Sequence, residues 1–248
     1  MAIKIKTADE LSKMRIAGQL TKKVLDLLKT KIVPGVTTKE LDAIAYGFIR
    51  ENGAVPSFLN YDGFPASICV SVNNEVIHGI PGKKKLQNGD IVSIDVGVIS
   101  EGWHGDAART YLCGGCSEEA KKLVRVTEES FFEGMKAAKH GNHLFQVSKA
   151  IQAYAEENGF SVVRDYCGHG IGSELHEDPS IPNYKPPGRG PRLVRGMTLA
   201  IEPMINAGTH EIKVLPDKWT VVTKDGKLSA HYENTTLITN GEPEILTI

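Results

Sequence analysis

Residues 86–95 read LQNGDIVSID, and residues 193–202 read LVRGMTLAIE. Each begins on leucine, turns on a glycine three places later, runs through apolar residues and ends on a carboxylate, Asp95 or Glu202. The likeness extends in both directions. ENG at 51–53 recurs at 157–159, and Gly35 recurs at the same offset as Gly141. His78-Gly-Ile answers His169-Gly-Ile, and His104-Gly-Asp106 answers His231-Tyr-Glu233. A helix–helix–strands unit is therefore present twice. Two copies imply an α/β (α+β) chain with pseudo-twofold symmetry and not a solenoid. The expected organisation is one catalytic domain over 1–248, with halves of about 1–113 and 117–248.

Local signals place the elements. Thr7 with Glu10, and Thr37 with Glu40, form capping boxes that open two helices, the second closed at Asn52-Gly53. Apolar residues at helical spacing (Met14, Ala17, Leu20, Val24, Leu27) mark the inward face of the first. In the second half a long helix is expected over 117–138 and a shorter one closed at Asn158-Gly159. Strands are expected over 67–72, 90–99, 107–112 and 197–205.

The acids ending those strands carry the chemistry. A carboxylate among Ile, Val, Leu and Ala is expensive to bury unless a cation or metal pairs with it. Neither half offers a lysine or arginine at an analogous interior position. Asp95, Asp106, Glu202 and Glu233, with one or two histidines, form an oxygen-rich set suited to two adjacent divalent ions among Mn, Fe, Co and Zn. Such a pair can lower the pKa of bridging water to ~7, giving a hydroxide nucleophile for hydrolysis. No GxSxG elbow supports serine chemistry.

Bulk properties are unremarkable: 41% hydrophobic residues, 24% charged and a net charge of -1. They point to neither a membrane nor a specific nucleic acid as partner. With no apolar leader and four cysteines, the expectation is a reduced, cytoplasmic protein. Cys113 and Cys116 lie in a turn without a second CxxC. The basic clusters at Lys83–Lys85 and between Arg189 and Arg195 read as solvated loops.

The motifs HGIP at His78, IDVG at Asp95, HGDAART at Asp106, GHGIGSELHEDP around His169 and His176, IEPMIN at Glu202 and HYENTT at Glu233 resemble those of the type I methionine aminopeptidase family, nearly end to end. The resemblance implies a pita-bread fold, two related halves around an antiparallel-type sheet and a dimetal cleft. It implies Asp95, Asp106, His169, Glu202 and Glu233 as metal ligands, with Asp106 and Glu233 bridging. Glu202 would double as proton carrier. His176 would contact the substrate carbonyl and His78 the scissile amide. Tyr61, Phe64, Cys69 and Trp219 would line the methionine pocket. The implied activity is removal of the initiator methionine from newly made proteins ahead of a small second residue. The enzyme would be a monomer acting on protein N-termini, with the ribosome as a further partner. Gly97, His231 and Asn234 depart from residues common in the family. Ser93, Val96 and Ser229 match positions where some members hold a monovalent cation. The competing readings are an Xaa-Pro peptidase of the same fold and a non-catalytic peptide-binding relative.

Overall fold

The computed structural model describes residues 2–248. The first half contains helices α1 (Ala8–Lys29) and α2 (Thr38–Glu51). Strands β1 (Val55–Pro56), β2 (Cys69–Val72), β3 (Glu75–Ile77), β4 (Ile91–Ser100) and β5 (Trp103–Leu112) follow. The second half repeats the plan with α3 (Glu118–Ala137) and α4 (Leu144–Glu157). It continues through β6 (Ser161–Val162), β7 (Gly168–Gly170), β8 (Glu177–Ile181), β9 (Thr198–Ile201), β10 (Met204–Asn206), β11 (Ile212–Val214), β12 (Val221–Thr223), β13 (Ser229–His231), β14 (Asn234–Leu237) and β15 (Glu244–Ile245).

Helix starts follow their caps. The Thr7 and Thr37 backbone N–H groups each donate to a glutamate carboxylate three residues on, both at 2.7 Å, and Ser117 Oγ accepts from the Ala120 N–H. The helices cover the outer faces of the sheets. In the first half Val24, Leu28, Leu41 and Ile49 pack on Ile94, Val96 and Val98 of β4. In the second, Phe131, Leu144 and Ile151 pack on Leu199 and Ile201 of β9. Because strand side chains alternate, these contacts turn Asp95 to the opposite face of β4.

All strand pairings among the described residues are antiparallel. β4 pairs along its length with β5 and also carries β2 and β1. The second half builds the sheet β15-β14-β9-β7-β8. β12 pairs with β3, so the halves also exchange a strand contact.

The halves meet along β5 and the 231–235 segment. Ala108 and Glu233 exchange both backbone hydrogen bonds, at 3.3 and 2.9 Å. On either side a threonine hydroxyl replaces the ladder bond. Thr235 Oγ1 accepts from the Asp106 N–H and donates to the Asp106 carbonyl, both at 2.9 Å. Thr110 Oγ1 does the same with His231, at 2.9 and 2.8 Å. One direct pair flanked by two hydroxyl-bridged pairs forms an antiparallel seam, and Asp106 and Glu233 both lie on it.

One expectation needs correction. The run 197–205 is not one strand. It breaks at Glu202-Pro203, where proline has no N–H to donate, and its two pieces join different sheets. Glu202 thus sits at a corner where the chain changes sheet.

Candidate metal centre

All the sequence-derived site residues line one cavity of about 260 Å³: the aromatic Tyr61, Phe64 and Trp219, the acidic cluster of Asp95, Asp106, Glu202 and Glu233 with His169, Cys69 beside Asp95, and His78 and His176. Phe58, Asp62 and Leu175 also line it. No spacing marked Phe58, whereas Leu175 could have been inferred from its place beside His176. A larger cavity of about 650 Å³ lies on the other side of the seam and contains neither His169 nor any of the four acids.

In the acidic cluster, ligand-type atoms of Asp106, His169 and Glu233 all lie within 4.8 Å of one another. His169 Nε2 is 3.6 Å from Glu202 Oε1 and 4.0 Å from Asp106 Oδ2. Asp95 joins through a hydrogen bond with Asp106 and stands opposite Cys69 in the β2–β4 register. Burial pushes the Asp95 carboxyl up to about 7. Burial and neighbouring carboxylates hold Asp106, Glu202 and Glu233 well above the ordinary range. Asp95 Oδ1, Asp106 Oδ1 and Glu233 Oε1 are buried without a hydrogen-bond partner.

Arg109 acts on Glu233 through its charge, yet it does not pair with the cluster's carboxylates. Its guanidinium donates to the Ala108 and Glu233 carbonyls and to Asn234 Oδ1 while stacking on Tyr232 at 4.3 Å. Four acids, three of them with an open buried oxygen, and no paired lysine or arginine fit divalent metal.

His169 is prepared to ligate. Its Nδ1 lies 2.9 Å from the Gly170 carbonyl, which can only accept, so the proton sits on Nδ1 and the Nε2 lone pair faces the acids. Burial lowers its pKa to about 3, keeping the ring neutral. The flanking glycines permit close packing: a Cβ at Gly168 would lie 2.3 Å from the Ala200 carbonyl oxygen, and one at Gly170 2.1 Å from that of Asp178.

His78, the sequence counterpart of His169, does not reach the acids. It lies just past β3 in the left-handed region, φ 57°. Its ring stands edge-on to Tyr166 and Trp219, with centroids 5.6 and 6.3 Å away, and burial lowers its pKa to about 4. Trp219 meets Phe64 edge-on at 5.1 Å on the aromatic wall. His176 Nδ1 is 2.7 Å from the Tyr61 hydroxyl, and its ring lies 4.3 Å from that of His169.

The residues proposed for a monovalent cation have protein partners or none to offer. Ser93 Oγ bonds Thr110 Oγ1, Ser229 Oγ bonds the Ile205 carbonyl and Asn206 Oδ1, and the Val96 side chain is core. All four thiols are unpaired, and Cys116 Sγ donates to the Asp90 carbonyl. No helix among the described residues is long and apolar enough to cross a membrane.

Known proteins resemble the chain along its length. Methionine aminopeptidase of Clostridium perfringens is 59% identical over 244 residues, 98% of each chain. The crystal structure of methionine aminopeptidase from Rickettsia prowazekii covers the whole of both chains with TM-score 0.98 and 46% identity. Xaa-Pro dipeptidase from Bacillus anthracis, 24% identical with TM-score 0.80 over 98% of this chain and 61% of its own, shares the pita-bread fold. The profile of metallopeptidase family M24 matches residues 12–240, and the chain belongs to that family.

Proposed function

We propose that the chain is a methionine aminopeptidase that removes the N-terminal methionine from newly made proteins when the second residue is small. One observation carries the reading: a buried cluster of acids with open oxygens and a lone-pair-bearing imidazole lines a cavity whose remaining wall is aromatic and carries a thiol. Full-length relatives named methionine aminopeptidase support it.

In this reading Asp95, Asp106, His169, Glu202 and Glu233 hold two divalent cations. When bound, these supply Lewis acidity toward a peptide carbonyl and acidify water near neutral pH. Glu202, at the corner of β9 and β10, receives and returns the proton at its carboxylate. When the Tyr61 hydroxyl donates to Nδ1, His176 carries its proton on Nε2 and can donate it to the carbonyl oxygen as charge develops there. His78, neutral at pH 7, offers a hydrogen bond to the scissile amide. Phe64, Trp219, Cys69 and Tyr61 hold the methionine side chain, since a thioether is favourable against aromatic edges. The whole chain acts as one catalytic unit, as a monomer in the cytoplasm, with ribosome-associated nascent chains as substrates. The unpaired thiols and ordinary surface charge support that setting.

The test uses protein reconstituted in turn with Co, Mn, Fe or Zn. Methionine is expected from Met-Ala-Ser, with little cleavage of Ala-Pro-Ala. Preference for the proline peptide would move the assignment to an Xaa-Pro peptidase. Peptide binding without release under every metal would make the chain a non-catalytic relative.

A further inference from the structure

His176 sits at the end of a loop, residues 171–176 between β7 and β8, that is exposed at Ser173, Glu174 and His176 itself. Its hydrogen-bond partner, Tyr61, is also exposed. What fixes the loop lies one residue further on. The Glu177 side chain is 3% exposed and accepts from Lys6 Nζ on Oε2 at 2.5 Å and from Lys4 Nζ on Oε1 at 3.1 Å. The Lys6 side chain is equally buried at 3%, and its backbone N–H donates to the Gly196 carbonyl at 2.9 Å. Lys4 Nζ also reaches Ser173 Oγ at 3.4 Å. The loop is bare where the pair passes: a Cβ at Gly172 would come within 2.6 Å of both Lys6 Cε and Glu177 Oε1.

An apolar pair of similar volume would serve stability as well as a buried ion pair. The ion pair adds a fixed direction, and it acts on the residue next to an exposed histidine whose own side-chain hydrogen bond runs to the exposed Tyr61 hydroxyl. We propose that residues 4–6 form a strap in which Lys6, assisted by Lys4, holds Glu177 and thereby sets His176 against the substrate. Lys6 and Glu177 are thus positioning residues for the reaction. This rests on the role given to His176 above.

The experiment compares metal-loaded Lys6→Met/Glu177→Gln, which leaves no unpaired buried charge, with the unsubstituted enzyme, in both His176 and His176→Ala backgrounds. Methionine release from Met-Ala-Ser gives kcat and KM, with metal content and Tm measured alongside. In the His176 background kcat should fall on the order of ten- to a hundredfold with metal content unchanged, as expected for slight misplacement of a substrate-facing group. In the His176→Ala background the same substitutions should cost nothing further. Equal losses in both backgrounds would reduce the pair to a structural contact and overturn the proposal, as would unchanged kcat. Lys6→Arg, which keeps the charge and alters the reach, is a second variant should the double substitution fail to fold. It should lower kcat with full metal content, and wild-type kcat there overturns the strap. Arg15→Met, which breaks the exposed Arg15–Glu244 pair between α1 and β15, should leave kcat unchanged. An inactive unsubstituted protein would bring down the functional reading and the strap together, whereas an active one without this coupling brings down the strap alone.

Discussion

Gly97, one of the positions set apart in the sequence, sits where a side chain would not fit. A Cβ there would lie 2.7 Å from Phe58 Cε1 and 2.7 Å from Ser57 Cβ. Ser57 Oγ already occupies the space and bonds His104 Nδ1 at 2.9 Å. Gly97→Thr should therefore cost about 1–3 kcal/mol through overpacking, with part recovered on adding Ser57→Ala, as read by denaturant unfolding. The Asn234 departure is satisfied on one side only: its Oδ1 accepts from Arg109 and from Thr247 Oγ1, while its Nδ2 is buried without a partner. His231 is buried with Nε2 unpartnered, 3.8 Å from Glu202 Oε2. Glu202 itself is the sharpest test of the chemistry. Glu202→Gln should lower kcat by about 10² or more if its carboxylate carries the proton. A near-wild-type rate would remove it from that role. His176→Ala should lower turnover while metal analysis finds the full complement, and lost metal would instead make His176 a ligand.

The seam between β5 and the 231–235 segment uses side-chain hydroxyls where a sheet would use backbone alone. Thr235→Val leaves the Asp106 N–H and carbonyl without their partner in a buried setting, so a loss of about 1–3 kcal/mol is expected. Because Asp106 is held at that point, metal affinity measured by titration calorimetry should weaken as well. Thr235→Ser should retain both. This seam was not legible in the sequence, because its register pairs residues more than a hundred positions apart. Local features were: both threonine capping boxes, the glycines that close α2 and α4, and the alternation that turns Asp95 from the core. The break at Glu202-Pro203 was written in the proline, yet the apolar run on either side masked it. The matching His-Gly-Ile triplets could not reveal that His78 adopts positive φ and turns toward Trp219 while His169 lies in a strand against the acids. Which histidine ligates depends on tertiary placement, and the residue types are identical.

Across the whole molecule, two sets of buried groups respond to pH in opposite directions. His78 and His104 are held to about 4 by burial. Each takes up a proton on unfolding below its ordinary pKa. Their contribution is therefore intact above pH ~6.5 and declines toward pH ~4, by up to ~1.4 kcal/mol per pH unit per histidine. The acids run the other way: Asp95 is raised to about 7, and burial and neighbouring carboxylates hold Asp106, Glu202 and Glu233 well above the ordinary carboxylate range. Metal-free protein should lose stability as pH rises through that range, and cations relieve the penalty. The gap in Tm between metal-loaded and chelated protein should widen from about pH 5 to about pH 7.5, and a constant gap would refute the cluster's role as metal site. Asp95 and Asp106 come from the first half, and His169, Glu202 and Glu233 from the second. A cation held by both sets ties together segments far apart in the chain, in the manner of a cross-link. Scarcity of metal would then shorten the protein's lifetime as well as slow its turnover, since the loosened halves open to proteases before the enzyme is ever short of substrate.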